Sequence, residues 1–153
     1  GGDDASTEDG STHQEQLSPE HAKAHQLALA GDYAGAAEAY GQIARNDPSD
    51  AVATRERAKA LLLARSGSVD VRTAREKAAA NPDDVESQLG VADVDMIGGQ
   101  VEDAFARLLD FLSAGHKGDI AVVRDRLIEY FDILDSGDPR VARARRRLAT
   151  LMY

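Results

Sequence analysis

An all-α fold, a short right-handed solenoid of about four antiparallel helical hairpins with about eight helices, is what this sequence predicts, and three observations predict it. Ala, Leu, Arg, Glu and Asp dominate, Trp is absent and only seven residues are aromatic, a composition of residues that lose little on entering a helix. β-branched residues are sparse and never alternate with polar ones over a strand's length. Turn residues recur at a fixed interval: Pro48 and Pro82 are 34 residues apart, each preceded by Asn and followed closely by Asp.

Residues 1–18 hold one apolar side chain larger than Ala, Leu17. So little apolar surface cannot offset the entropy of ordering, and 1–18 reads as a disordered acidic linker or tag remnant. A chain opening on Gly1-Gly2 rather than Met also reads as a piece of something longer. Order is expected across 19–153.

Ser18-Pro19 starts a first helix over about 19–30, with Ser as its cap and Pro in its first turn. Gly31-Asp32 separates it from a second helix, about 33–45. Asn46 to Asp50 ends that helix and caps a third, about 50–65. Ser66-Gly67-Ser68 leads to a fourth (69–80), and Asn81-Pro82-Asp83-Asp84 repeats the earlier Pro turn before a fifth (83–97). Gly98-Gly99 precedes a sixth (101–113), Gly115–Gly118 opens a seventh (119–135), and Gly137-Asp138-Pro139 opens the last (139–152). Turns this short imply antiparallel neighbours.

A second landmark supports the period. The stretch Gly31 to Tyr40 aligns with Gly99 to Leu108 at an offset of 68, twice 34. In that register Gly ends the first helix of a hairpin, because Gly enters the left-handed turn without strain. A small residue (Ala36, Ala104) sits where the two helices approach, and a larger one (Tyr40, Leu108) fills the groove beyond. A lone hairpin cannot bury its apolar face, so the core comes from stacked neighbours.

These residues resemble the tetratricopeptide repeat, whose consensus has a Gly-Asp-Tyr turn, then small and aromatic positions, then Pro. Units one and three fit. In unit two Arg65 stands in place of the turn Gly and Asp70 in place of the small residue, so its second helix is expected out of register or shortened. Unit four has the length without the consensus, as a terminal cap would. Val91 to Gly99, Glu102 to Leu109, and Asp138 to Ala142 running on to Arg146-Arg147-Leu148-Ala149 also resemble the C-terminal repeat region of bacterial thioredoxin-like proteins of the chaperedoxin type, in their actinobacterial branch. That resemblance implies a missing N-terminal thioredoxin fold and a role in holding unfolded clients for chaperones.

Charge and composition narrow the function. The net charge is −9, and six of the acids lie in residues 1–20, which hold no Lys or Arg. An acidic surface repels phosphate and anionic lipid, which speaks against nucleic acid and membrane as partners. There is no cysteine, hence no disulfide or thiolate chemistry, and a reducing cytoplasm is the simpler compartment. No apolar run reaches the ~18 residues of a membrane span, and no phosphate loop, nucleophile elbow or dinucleotide fingerprint occurs. The reading is a non-catalytic protein–protein interaction module without cofactor or metal. Its partners would be unfolded clients, chaperones or its own thioredoxin domain. The alternatives are a structural or regulatory domain that positions that thioredoxin half and, less favoured, a nucleic-acid-binding regulator acting through the C-terminal arginines.

Candidate contact residues follow from the register. The first helix of each unit lines a groove, which puts Arg55, Glu56, Lys59, Leu63, Leu89, Asp93 and Met96 on the partner-binding face. Glu56, Glu86 and Gly90 stand where repeats that grip a C-terminal carboxylate carry cations or Asn, so that mode is disfavoured. His21 and His25, one helical turn apart, could pair on a metal but lack a third ligand, and read as two exposed histidines. Asp93 and Asp95, two apart, point to different sides of their helix and form no acid/base dyad. The last helix carries five arginines, with Arg140, Arg143 and Arg147 on one face. They read either as a solvated face or as a basic docking face.

Overall fold

The computed structural model describes residues 18–153, so all but the last residue of the expected linker 1–18 lies outside it. Among the described residues there are eight α-helices and no strand. They are α1 (Pro19–Leu29), α2 (Tyr33–Asn46), α3 (Ala51–Ser66), α4 (Val71–Ala80), α5 (Val85–Ile97), α6 (Val101–Ser113), α7 (Ile120–Ile133) and α8 (Pro139–Met152). A 3-10 turn, Lys117–Asp119, precedes α7. The all-helical fold and the number of helices agree with the sequence.

Capping explains where the helices begin. Asp32, Asp50, Asp70 and Asp84 each accept the amide of the third residue on, at 2.9 to 3.1 Å, and Ser18 does the same for His21. Each removes one orphan N–H of a first turn. Asp138 caps α8 through the Arg140 amide at 2.8 Å, with Pro139 as the first helical residue. Gly31 and Gly99 follow the first helices of units one and three with φ of 84° and 80°, a left-handed turn that a side chain resists.

The chain divides into two compact units, up to Ala64 and Arg65–Tyr153. In unit 1 the α1–α2 hairpin closes over a core of small residues, Ala24, Ala36, Ala37, Ala53 and Ala60, with Tyr40 as its one large member. His21 is buried here, its Nε2 2.8 Å from Asp50 Oδ2. The expectation of two exposed histidines therefore holds only for His25. The reason is local: Ser18 and Asp50, both helix caps, converge on the His21 ring.

Unit 2 pairs α4 with α5, α5 with α6, and α6 with both α7 and α8. Leu89, Val91, Leu108, Val123 and Leu127 fill its centre, and Phe105 meets Phe131 edge-on at 5.3 Å. Burial repeats with the sequence period: Ala24, Ala58 and Ala92, each 34 residues from the next, are all completely buried. Side chains there leave room only for a methyl group.

The second helices split into two classes. α2 and α6 start 68 residues apart, at Tyr33 and Val101; α4 and α8 also start 68 apart, at Val71 and Pro139. The second pair begins four residues late against the first, with Asp70 and Asp138 as caps. The missing turn Gly is the cause in unit two, since α3 runs on through Arg65 to Ser66 and α4 is left with ten residues. Unit four thus has the register of unit two.

Candidate functional site

At the centre of unit 2 is a buried carboxylate. Asp93, on α5, is 1% exposed and accepts five hydrogen bonds. Arg65 donates from Nε at 3.0 Å and Nη2 at 3.1 Å, and Ser66 Oγ donates at 2.8 Å. Arg126 Nη1 at 3.0 Å and Tyr130 OH at 2.5 Å, both from α7, complete the set. Glu129 takes a further Arg65 bond at 2.6 Å. Burial alone would push the Asp93 carboxyl up, but Arg65, Tyr130 and Arg126 outweigh it and hold the carboxyl below its ordinary value. Burial and the neighbouring carboxylate push the Tyr130 phenol up. Against the desolvation of its own guanidinium, Arg65 is held more firmly protonated by Asp93 and Glu129. Each group is locked in its ordinary charge state, so the cluster fastens helices together and offers no proton near neutral pH.

Asp95 is also buried but turns the other way, to Arg75 at 2.6 Å. The two carboxylates share no partner, as their spacing requires.

Beside the Asp93 cluster opens a cleft of about 390 Å³, within the size range of ligand sites. Val69, Ala74 and Lys77 form one side, Glu86, Leu89 and Gly90 the other, and Arg65 and Arg126 the base. Gly90 is decisive for its shape. A Cβ built there meets nothing within 4 Å, so the helix leaves open space at a residue whose glycine no packing demands. Val69 stands 43% exposed at the rim.

The groove residues expected from the register divide between surface and interior. Arg55 and Glu56 on α3 are half-exposed, Lys59 is exposed and Leu63 half-buried. Glu56 lies 3.8 Å from Arg55 and 3.6 Å from Lys59, surface pairs worth little. Leu89, Asp93 and Met96 are buried, which corrects their reading as open groove side chains: α5 packs on both sides and consumes them internally. The cleft instead exposes Val69, Lys77 and Gly90. Of these, only Gly90 came from the register. Arg126, Glu129 and Tyr130 were also missed, although Arg126 carried a signal: it lies 34 residues beyond Ala92, at the position that is a buried alanine in the first three units.

The three α8 arginines are not a bare face. Arg140 returns to its own cap, Asp138, at 2.7 Å. Arg147 reaches Asp110 at 2.6 Å, and Arg143 stands 3.9 Å from Glu102, both acids on α6. Arg145 lies over the Phe131 ring at 5.2 Å. Val141, Ala144 and Leu148 form the buried stripe that docks the helix. Among the described residues no group of three or more His, Asp or Glu is arranged to hold a metal. No helix there is long and apolar enough to cross a membrane.

A family model described as tetratricopeptide repeat matches residues 64–153, more than half of the chain. The chain belongs to the tetratricopeptide-repeat family. The match begins beside the residue that divides the two units. This tetratricopeptide-repeat chain is similar to uncharacterized proteins of Mycobacterium bovis and of the CDC 1551 and H37Rv strains of Mycobacterium tuberculosis. Each is 29% identical over 140 residues, covering 90% of the chain and 45% of the relative. The chain thus spans less than half the length of these relatives. No solved structure matches it.

Proposed function

We propose that this chain is a non-catalytic protein-interaction module that holds extended segments of unfolded clients, or of a chaperone that receives them, in the cleft beside α5. The supporting observation is the open space over Gly90. A helix-interior glycine costs about 1 kcal/mol against alanine, and here it leaves room for the backbone of a bound segment. Val69 and Ala74 offer apolar contact, while Lys77 and Glu86 supply one charge of each sign at the edge. Such a mixed cleft suits varied extended segments rather than a single ligand chemistry.

Attachment to an N-terminal thioredoxin-like domain, in a cytoplasmic protein, belongs to the same reading. It rests on the sequence resemblance, and the greater length of the relatives leaves room for such a half. The second reading, a domain that positions that half, draws on the same length. The test is suppression of aggregation of a reduced, unfolding client by the chain, compared with Gly90→Phe. The ring fills the cleft without meeting the protein's own atoms. Suppression by the parent and its loss in Gly90→Phe supports the reading. Equal suppression by both, or none by either, removes it.

A further inference from the structure

The second contact surface lies on α6 and α8, apart from the α5 cleft, and stands or falls independently of it. A cleft of about 210 Å³ runs between these helices, its floor made by Phe105, Leu109 and Ala144. Arg140, Arg143 and Arg147 edge it from α8, and Glu102 and Ala106 from α6. The volume takes one branched aliphatic side chain. Glu102 to Leu109 is two helical turns, about 10 Å, and the arginines are spaced three and four residues apart along α8.

Charge complementarity identifies the occupant. α8 holds five arginines and no acid, in a chain of net charge −9. Two of the three edge arginines are paired only with exposed α6 carboxylates, Arg143 with Glu102 and Arg147 with Asp110. Ion pairs this exposed are weak and exchange readily for a partner's carboxylates. We infer that the α6–α8 cleft is a docking site for an acidic amphipathic helix of a partner protein. Carboxylates spaced three to four residues apart would meet Arg140, Arg143 and Arg147, and one aliphatic side chain would enter between Phe105 and Ala144. Glu102 and Asp110 act as internal competitors that occupy the arginines when the partner is away.

The competitor role gives a test in which two variants move binding in opposite directions. The probe is a labelled synthetic helical peptide with Glu at positions i, i+3 and i+7 and Leu between, beside a counterpart with Gln for Glu. Both are titrated with the full chain by fluorescence anisotropy. The Glu peptide should bind at least about tenfold more tightly than the Gln peptide. Arg143→Glu with Arg147→Glu should weaken binding about tenfold, whereas Glu102→Gln with Asp110→Asn should strengthen it roughly threefold. The second pair removes only surface carboxylates, so it still tests the proposal should the charge-reversed variant fail to fold. Equal binding of the two peptides, no binding by either, or no gain in Glu102→Gln/Asp110→Asn overturns it. So does equal binding of duplex DNA, which would mark the face as a general polyanion patch.

Discussion

Replacing Asp93 by Ala removes the shared acceptor of Arg65, Ser66, Arg126 and Tyr130 at a site 1% exposed. Taking away one partner of a buried ion pair costs about 3–5 kcal/mol, because the remaining charge is left without compensation. Two features place this case at the lower end. The Arg65 and Arg126 side chains keep 27% and 15% exposure, so both guanidiniums have a route to water, and Glu129 still pairs with Arg65. The expected loss is therefore about 3 kcal/mol, a fall in Tm of roughly 12–20 °C for a unit of this size. Urea unfolding followed by circular dichroism measures it, with Tyr130→Phe as the graded companion at about 1.5 kcal/mol for a single bond to a charged acceptor. A loss below about 0.5 kcal/mol in Asp93→Ala would refute the reasoning, because it would put Asp93 among surface substitutions.

Two further outcomes follow from the same geometry. The Asp93 carboxyl is held below its ordinary value in the folded chain. The stability it contributes is therefore present above the unfolded carboxylate pKa, near 3.8, and is lost as pH falls through the lower folded value. Urea midpoints across that acid range should fall less steeply in Asp93→Asn than in the parent. The glycines at 31 and 90 should respond oppositely to alanine. Gly31→Ala should lose about 1–2 kcal/mol, since φ is 84° there. Gly90→Ala should gain up to about 1 kcal/mol, since its Cβ meets nothing, and thermal melts of the two variants check both signs.

The periodic features were the legible ones. The turns at Gly31, Pro48, Pro82 and Gly99 are local signals, and their spacing was enough to place the helices and pair them into hairpins. The shortened α4 was also legible, because Arg65 cannot take the left-handed turn that Gly31 and Gly99 take with ease. What stayed hidden was which face α5 keeps open. Leu89, Asp93 and Met96 occupy groove positions in the repeat register, yet α5 lies against α4, α6 and α7 and buries all three. Asp93 draws partners from 27 to 37 residues away along the chain, and no local pattern encodes a pairing at that separation. Arg126 was readable in retrospect: a cation at a repeat position otherwise held by buried alanine needs a carboxylate within reach. The α8 arginines were correctly placed on one face, but their pairing with Glu102 and Asp110 depends on how α6 and α8 pack.

The central claim is that the cleft beside α5 receives extended protein segments. The most direct measurement is the change in backbone amide chemical shifts on adding a reduced, permanently unfolded client. The account predicts that the largest changes gather at Val69, Ala74, Lys77, Glu86 and Gly90 and disappear in Gly90→Phe. Changes spread evenly over the chain, or gathered away from this cleft, would contradict it.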